Sequence, residues 1–191
     1  MAPIALYPDS LLAQILMAAT YPGDFADAVK WSAAHPDEKG DAAVTKVASQ
    51  PWDPSVQSLV AFPQVLATFG KDPAWVQKVG DAFLAQPDAV MDSVQRLRDK
   101  AQTAGNLKSN EYQKVSEAPA ASSTAAQTST GTTIVIEPAQ TKVVYVPTYD
   151  STTVYGVWGY SMYPPYYYPP PAYYYPGYAF ARGLAWGIGI G

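Results

Sequence analysis

Prolines 8, 22, 36 and 51 fall 14 to 15 residues apart, Pro54, Pro63 and Pro73 follow at closer intervals, and Pro87 comes 14 residues later. Proline has no amide hydrogen, and its ring clashes with the carbonyl four residues back, so a helix running through any of these positions would be kinked or broken. The first half of the chain is thereby restricted to short helices, and each proline is best tolerated in the first turn of one. Between prolines the apolar residues recur three and four apart, the spacing that loads one helical face. The residues between successive prolines do not match one another, so this is punctuation and not a repeat.

The opening stretch Ala2–Tyr21, APIALYPDSLLAQILMAATY, is the most apolar of the pieces. Leu11, Leu12, Ile15, Leu16 and Ala19 share a face, Pro8 suits the first turn, and Asp9 sits where the helix dipole is positive. Pro22-Gly23 breaks the chain, with Asp24 as the cap of a second helix whose apolar side is Phe25, Ala26, Val29 and Trp31, ended by Ala34-His35-Pro36. Ala42, Ala43, Val44 and Val47 support a short third helix. Asp53-Pro54 and Asp72-Pro73 each place an N-cap before a helix-starting proline. Between those two helices, Val65, Leu66 and Phe69 mark a further short one closed by Gly70. Pro87-Asp88 opens the last helix, with Val90, Met91, Val94 and Leu97 inward, a polar end at Gln95–Lys100 and a stop at Gly105. Six or seven antiparallel helices are expected, with Trp31, Trp52 and Trp75 in one core. About a hundred residues can bury such a core without disulfides.

The expected fold is mainly α: a compact bundle of short helices with a small antiparallel β-hairpin and an irregular Tyr/Pro-rich C-terminal arm. Residues 2–118 read as the helical domain and 119–132 as a flexible linker of small polar residues. Residues 133–158 read as the hairpin segment. There Thr133–Pro138 and Lys142–Pro147 are β-branched runs joined by Ala139-Gln140-Thr141, a connection of hairpin length. Tyr112–Ser116 is a third candidate strand. Residues 159–191 form the arm and a Gly-rich end, and residues 163–178 hold eight tyrosines and six prolines. Polyproline II is the local state such a run favours.

Charge separates the two parts. Residues 1–117 carry ten Lys/Arg and fourteen Asp/Glu, whereas residues 118–191 carry only Lys142, Arg182, Glu137 and Asp150. No basic cluster exists to displace counterions from phosphates, which argues against nucleic acid as a partner. The chain has no cysteine, which removes thiol catalysis, disulfides and Cys-based metal sites together. No apolar run reaches the eighteen residues of a spanning helix. No signal-peptide pattern precedes the first helix.

No catalytic, cofactor or metal residues are assigned. His35 is the one histidine, and with Asp37 and Glu38 it could be drawn as a base or a ligand; a residue at a helix end before proline reads better as a cap. Asp37–Asp41 has the residue types of a calcium loop without its spacing. No serine sits in a Gly-x-Ser-x-Gly elbow, and GIGIG follows no strand-turn-helix context. The candidate binding residues are Tyr163, Tyr166, Tyr167, Tyr168, Tyr173, Tyr174, Tyr175 and Tyr178. A plain spacer would use Gly, Ser, Thr and Pro, whereas tyrosines bring large ring faces and hydroxyls into water, where they stack on sugars, prolines or one another.

Four stretches together resemble a bacterial family: APIALYPDSLLAQILMAATYP at the N-terminus, QPWDPSVQSLVAFPQVL at 50–66, GDAFLAQPDAVMDSVQRLR at 80–98 and TIVIEPAQTKVVYVPTYDSTTVYG at 133–156. They are similar to the domain-of-unknown-function family 3300 of proteobacterial envelope proteins, in order and over nearly residues 2–186. The resemblance implies a secretory signal upstream, low-complexity sequence downstream and a periplasmic or extracellular location. It carries no catalytic residue. The resulting expectation is a non-enzymatic envelope or secreted protein of interaction or assembly, using the aromatic arm as its contact surface. Its partner would be an envelope protein, a polysaccharide or a second copy of itself. Membrane attachment would come only through sequence absent from this chain. The competing reading is an envelope hydrolase acting on a cell-wall or surface polymer through carboxylates.

Overall fold

The computed structural model describes residues 1–119, 132–140, 143–169 and the backbone of 184–190. Seven helices follow one another: α1 (Asp9–Ala19), α2 (Pro22–Ala34), α3 (Gly40–Val47), α4 (Pro54–Leu59), α5 (Pro63–Phe69), α6 (Pro73–Ala85) and α7 (Pro87–Thr103). Five of the seven begin on proline, as the punctuation requires. At α4 the Asp53 carboxylate accepts the Ser55 amide, and at α6 the Asp72 carboxylate accepts the Trp75 amide, both at 2.9 Å. Gly105 ends α7 at φ 77°, with the Asn106 amide donating to the Ala101 carbonyl and the Gly105 amide to that of Gln102, the paired bonds of a left-handed helix stop.

α1 packs against α2, α4 and α6, and α2 also meets α5. The core-facing residues of α1 are Leu11, Leu12, Ile15, Leu16, Ala18 and Ala19. α5 is buried almost all round, Gln64 and Thr68 included. α6 approaches α1 so closely that a Cβ at Gly80 would lie 2.1 Å from the Ala19 carbonyl oxygen, so only glycine fits there.

Strands β1 (Gln113–Pro119) and β2 (Thr132–Pro138) pair antiparallel, Val115 opposite Ile136. β3 (Val144–Tyr149) pairs antiparallel with β4 (Leu184–Ile190), with a register shift between Tyr145 and Pro147. Mainly α with a small antiparallel β element is therefore the fold, and Tyr112–Ser116 does lie at the start of a strand. The predicted pairing is corrected. Among the described residues the 133–138 and 142–147 runs are not each other's partners, and only the isolated Gln140–Val143 bridge remains of that hairpin. Adjacency in sequence favours the short connection, but each run pairs with a strand distant in sequence, and Ile134, Ile136, Val146 and Tyr149 enter the same core as the helices.

Three smaller expectations also shift. Asp24 does not cap α2; its carboxylate accepts the backbone amide of Asp53 at 2.9 Å, tying α2 to the start of α4. Met91 is 39% exposed instead of inward. Trp75 is buried, while Trp31 and Trp52 only pack on the core's margin.

Candidate functional site

The residues before α1 are the least ordinary part of the fold. Ile4, Ala5, Leu6 and Tyr7 form no helix or strand, yet all are buried. Irregular backbone in a core leaves carbonyls that must find donors. Arg98 of α7 supplies three of them: its Nε donates to the Ala5 carbonyl at 2.8 Å, Nη2 to that of Tyr7 at 3.1 Å, and Nη1 to Ile134 of β2 at 2.8 Å. Its charge is met by the Asp9 carboxylate at 2.6 Å. Arg98 is 1% exposed, and the fixed fork of the guanidinium suits several acceptors at once. Its place was readable, because it lies four residues after Val94 on the apolar stripe of α7. The neighbouring charges at Arg96 and Lys100 masked it.

The Ala2 carbonyl is served from the other end of the chain. Tyr149 and Tyr155 both donate their hydroxyls to it, at 2.8 and 2.5 Å, and the Leu6 amide donates to the Tyr149 hydroxyl at 3.3 Å. Burial raises the pKa of both phenols well above the ordinary tyrosine value, so they remain donors. This arrangement is structural, holding residues 2–7 between α7, β2 and the 149–155 segment.

Of the eight candidate tyrosines, Tyr163, Tyr166, Tyr167 and Tyr168 are described; Tyr173, Tyr174, Tyr175 and Tyr178 lie outside the described residues. The four have different surroundings. Tyr168 stands edge-on to Phe69 and Trp75, with ring centroids at 5.9 and 5.6 Å, and its hydroxyl donates to Asp72 Oδ2 at 2.8 Å. Burial, then the Asp72 carboxylate, raises its pKa. Tyr167 is half-buried, its pKa raised by burial and then by Asp150. Lys71 donates to the Pro169 carbonyl at 3.1 Å, and Ser151 bonds the Tyr166 carbonyl. The beginning of the arm is thus fastened along the helical body.

Tyr163 and Tyr166 are the opposite case, 77% and 57% exposed. With Trp158 and Tyr160 they form one wall of a cleft of about 300 Å³, and Arg96, Leu97, Lys100 and Ser93 of α7 form the other. The Trp158 indole donates to the Tyr163 carbonyl at 2.9 Å, and its ring meets Tyr160 edge-on at 6.1 Å. Trp158, Tyr160, Arg96 and Lys100 were not singled out from the sequence. Only the fold brings them together, because about sixty positions separate the two walls. No Asp or Glu lines this cleft. A second cleft, of about 320 Å³ beside Ala82, Ala85, Ala89 and Val90, also has no carboxylate in its lining.

His35 sits at the end of α2, its ring stacked on Trp31 at 4.4 Å and its Nδ1 2.8 Å from the Trp31 carbonyl. That is the capping role. Among the described residues no three His, Cys, Asp or Glu side chains gather as a metal site, and no helix is long and apolar enough to cross a membrane.

The chain is 49% identical to the uncharacterized protein YacH of Escherichia coli (strain K12), over 99% of its own length and 34% of that relative's. It therefore spans about a third of the curated relative it matches. No solved structure matches it. Residues 1–190 match the family described as protein of unknown function (DUF3300), and the chain belongs to that family.

Proposed function

We propose that this chain is a non-enzymatic interaction module of the bacterial cell envelope, exported before it acts, with the exposed beginning of its Tyr/Pro arm as the contact surface. One observation carries the reading. Of the nine large apolar or aromatic side chains left exposed among the described residues, five (Val157, Tyr160, Met162, Tyr163 and Tyr166) fall within residues 157–166. Scattered exposed residues need no explanation, but a contiguous group on an otherwise packed body marks a place where something binds.

The carboxylate hydrolase has less support. Its general acid would need a raised pKa inside a cleft. Asp53 and Asp72 are both held below the ordinary carboxylate value by hydrogen bonds, the opposite of what a general acid needs. The envelope location rests on the motifs shared with the family.

The test combines fractionation of cells that express the protein with recovery of partners from envelope extracts by this chain. The Tyr163→Ser/Tyr166→Ser double variant should keep the parent's melting temperature and lose the recovered partner. A cytoplasmic location of the protein, or undiminished recovery by the variant, would overturn the proposal.

A further inference from the structure

We infer that the cleft between α7 and residues 158–166 is a binding site for an acidic glycan strand. The inference rests on the interaction reading above and adds to it the chemical class of the ligand.

Arg96 and Lys100 are one turn apart on the same face of α7, both lining the cleft, and neither makes an ion pair among the described residues. The chain as a whole carries a net charge of −4, and no carboxylate lines the cleft beside these two cations, although Asp92 and Asp99 lie near them on α7. Across from them stand an indole and three phenols. Trp158 is fixed by its bond to the Tyr163 carbonyl, and Pro164-Pro165 restrict the backbone that carries Tyr163 and Tyr166. Rings held in place in this way lose little freedom on binding. Flat ring faces accept the C–H face of a pyranose, the phenol hydroxyls reach its hydroxyl groups, and the two cations meet its carboxylates.

Other anionic partners fit less well. A peptide that binds by strand addition needs a free strand edge, and the walls of this cleft are a helix and an irregular segment; a Pro-rich peptide could use the rings but would leave the two cations unmet. A docking helix needs an aliphatic groove, whereas Leu97 is nearly the whole aliphatic lining apart from the first residues of the chain. A lipid surface would call for a larger basic patch than two side chains.

The experiment is affinity electrophoresis and calorimetry of the whole chain with polygalacturonate. Dextran serves as the neutral polysaccharide, polyglutamate as the acidic peptide and phosphatidylglycerol vesicles as the anionic membrane. Polygalacturonate should bind, dextran should bind much less, and added salt should weaken the binding. Arg96→Gln/Lys100→Gln and Tyr163→Ser/Tyr166→Ser should each weaken it about tenfold or more, since both walls contribute. The melting curve of each variant should match the parent's. No binding of polygalacturonate, equal binding of polyglutamate, a preference for vesicles, or indifference to both variants would each overturn the inference. If polygalacturonate fails while Tyr163→Ser/Tyr166→Ser still abolishes recovery of envelope partners, the glycan is rejected and the interaction reading stands. If that variant changes neither readout, both are rejected.

Discussion

Tyr149 and Tyr155 on one side and Tyr163 and Tyr166 on the other belong to one short aromatic stretch, yet the first pair is buried and the second stands in water. The difference does not lie in the residue type. Residues 2–7 bring irregular backbone into the core, and the Ala2 carbonyl gives two phenol hydroxyls an acceptor there. A buried tyrosine needs such an acceptor, because an unmet hydroxyl in an apolar site is costly. Among the described residues the hydroxyls of Tyr163 and Tyr166 have no such acceptor in the core, and both side chains remain largely exposed, Tyr166 with one face stacked on Tyr168. One pair is tied into the core and the other is the proposed contact surface, and substitutions should separate the two.

The largest effect is expected at Arg98. Arg98→Ala strips donors from the carbonyls of Ala5, Tyr7 and Ile134 and leaves Asp9 without its partner. Asp9 is 44% exposed and water can take its partner's place, so the cost comes from the buried Ala5 and Tyr7 carbonyls left without a donor. At about 1–3 kcal/mol each, denaturant melts should show a loss of roughly 2–6 kcal/mol. A loss below about 1 kcal/mol would mean that residues 2–7 are not held from α7.

Next come the apolar contacts beneath the same segment. Leu12→Ala or Ile15→Ala removes a side chain of 2% or less exposure and should cost about 2–5 kcal/mol. Tyr149→Phe should cost about 1–2 kcal/mol, since the hydroxyl lost both donates to Ala2 and accepts from Leu6. Tyr155→Phe should cost less, because either phenol can serve Ala2 alone but only Tyr149 also accepts the Leu6 amide. If neither loss reached about half a kcal/mol, the buried acceptor would not be what distinguishes these tyrosines from the exposed pair.

The local rules were written plainly in the chain. Asp53-Pro54, Asp72-Pro73 and Gly105 act within a turn of themselves, and their consequences can be read one helix at a time. What could not be read depends on distance along the sequence. β2 takes β1 as its partner and not the run that follows it; Asp24 meets Asp53, and Tyr168 meets Asp72, through the folded core. The cleft is of the same kind. Its tyrosines could be proposed from composition, but Arg96 and Lys100 join them only because α7 passes beneath the arm.

The smallest effect tests how the arm's fastened part differs from its exposed part. Asp72 accepts the Trp75 amide and the Tyr168 hydroxyl, and these two bonds, in that order, lower its pKa from the ordinary 3.8. A carboxylate with a lowered folded pKa contributes stability that is fully present above the unfolded value and is lost as pH falls through the folded one. Acidification should therefore loosen Tyr168 from Phe69 and Trp75 without touching Tyr149 or Tyr155, whose phenols stay protonated throughout. Asp72→Asn isolates the charge, since asparagine caps a helix about as well as aspartate. Asp72 is partly exposed, so the parent should exceed this variant by roughly half a kcal/mol near neutrality. The gap should close below about pH 4, as the carboxylate takes up its proton. In step with it, the NMR ring signals of Tyr168 should move toward those of an exposed tyrosine. A gap that stayed constant with pH, or ring signals that did not move, would show that the arm is held by ring packing alone.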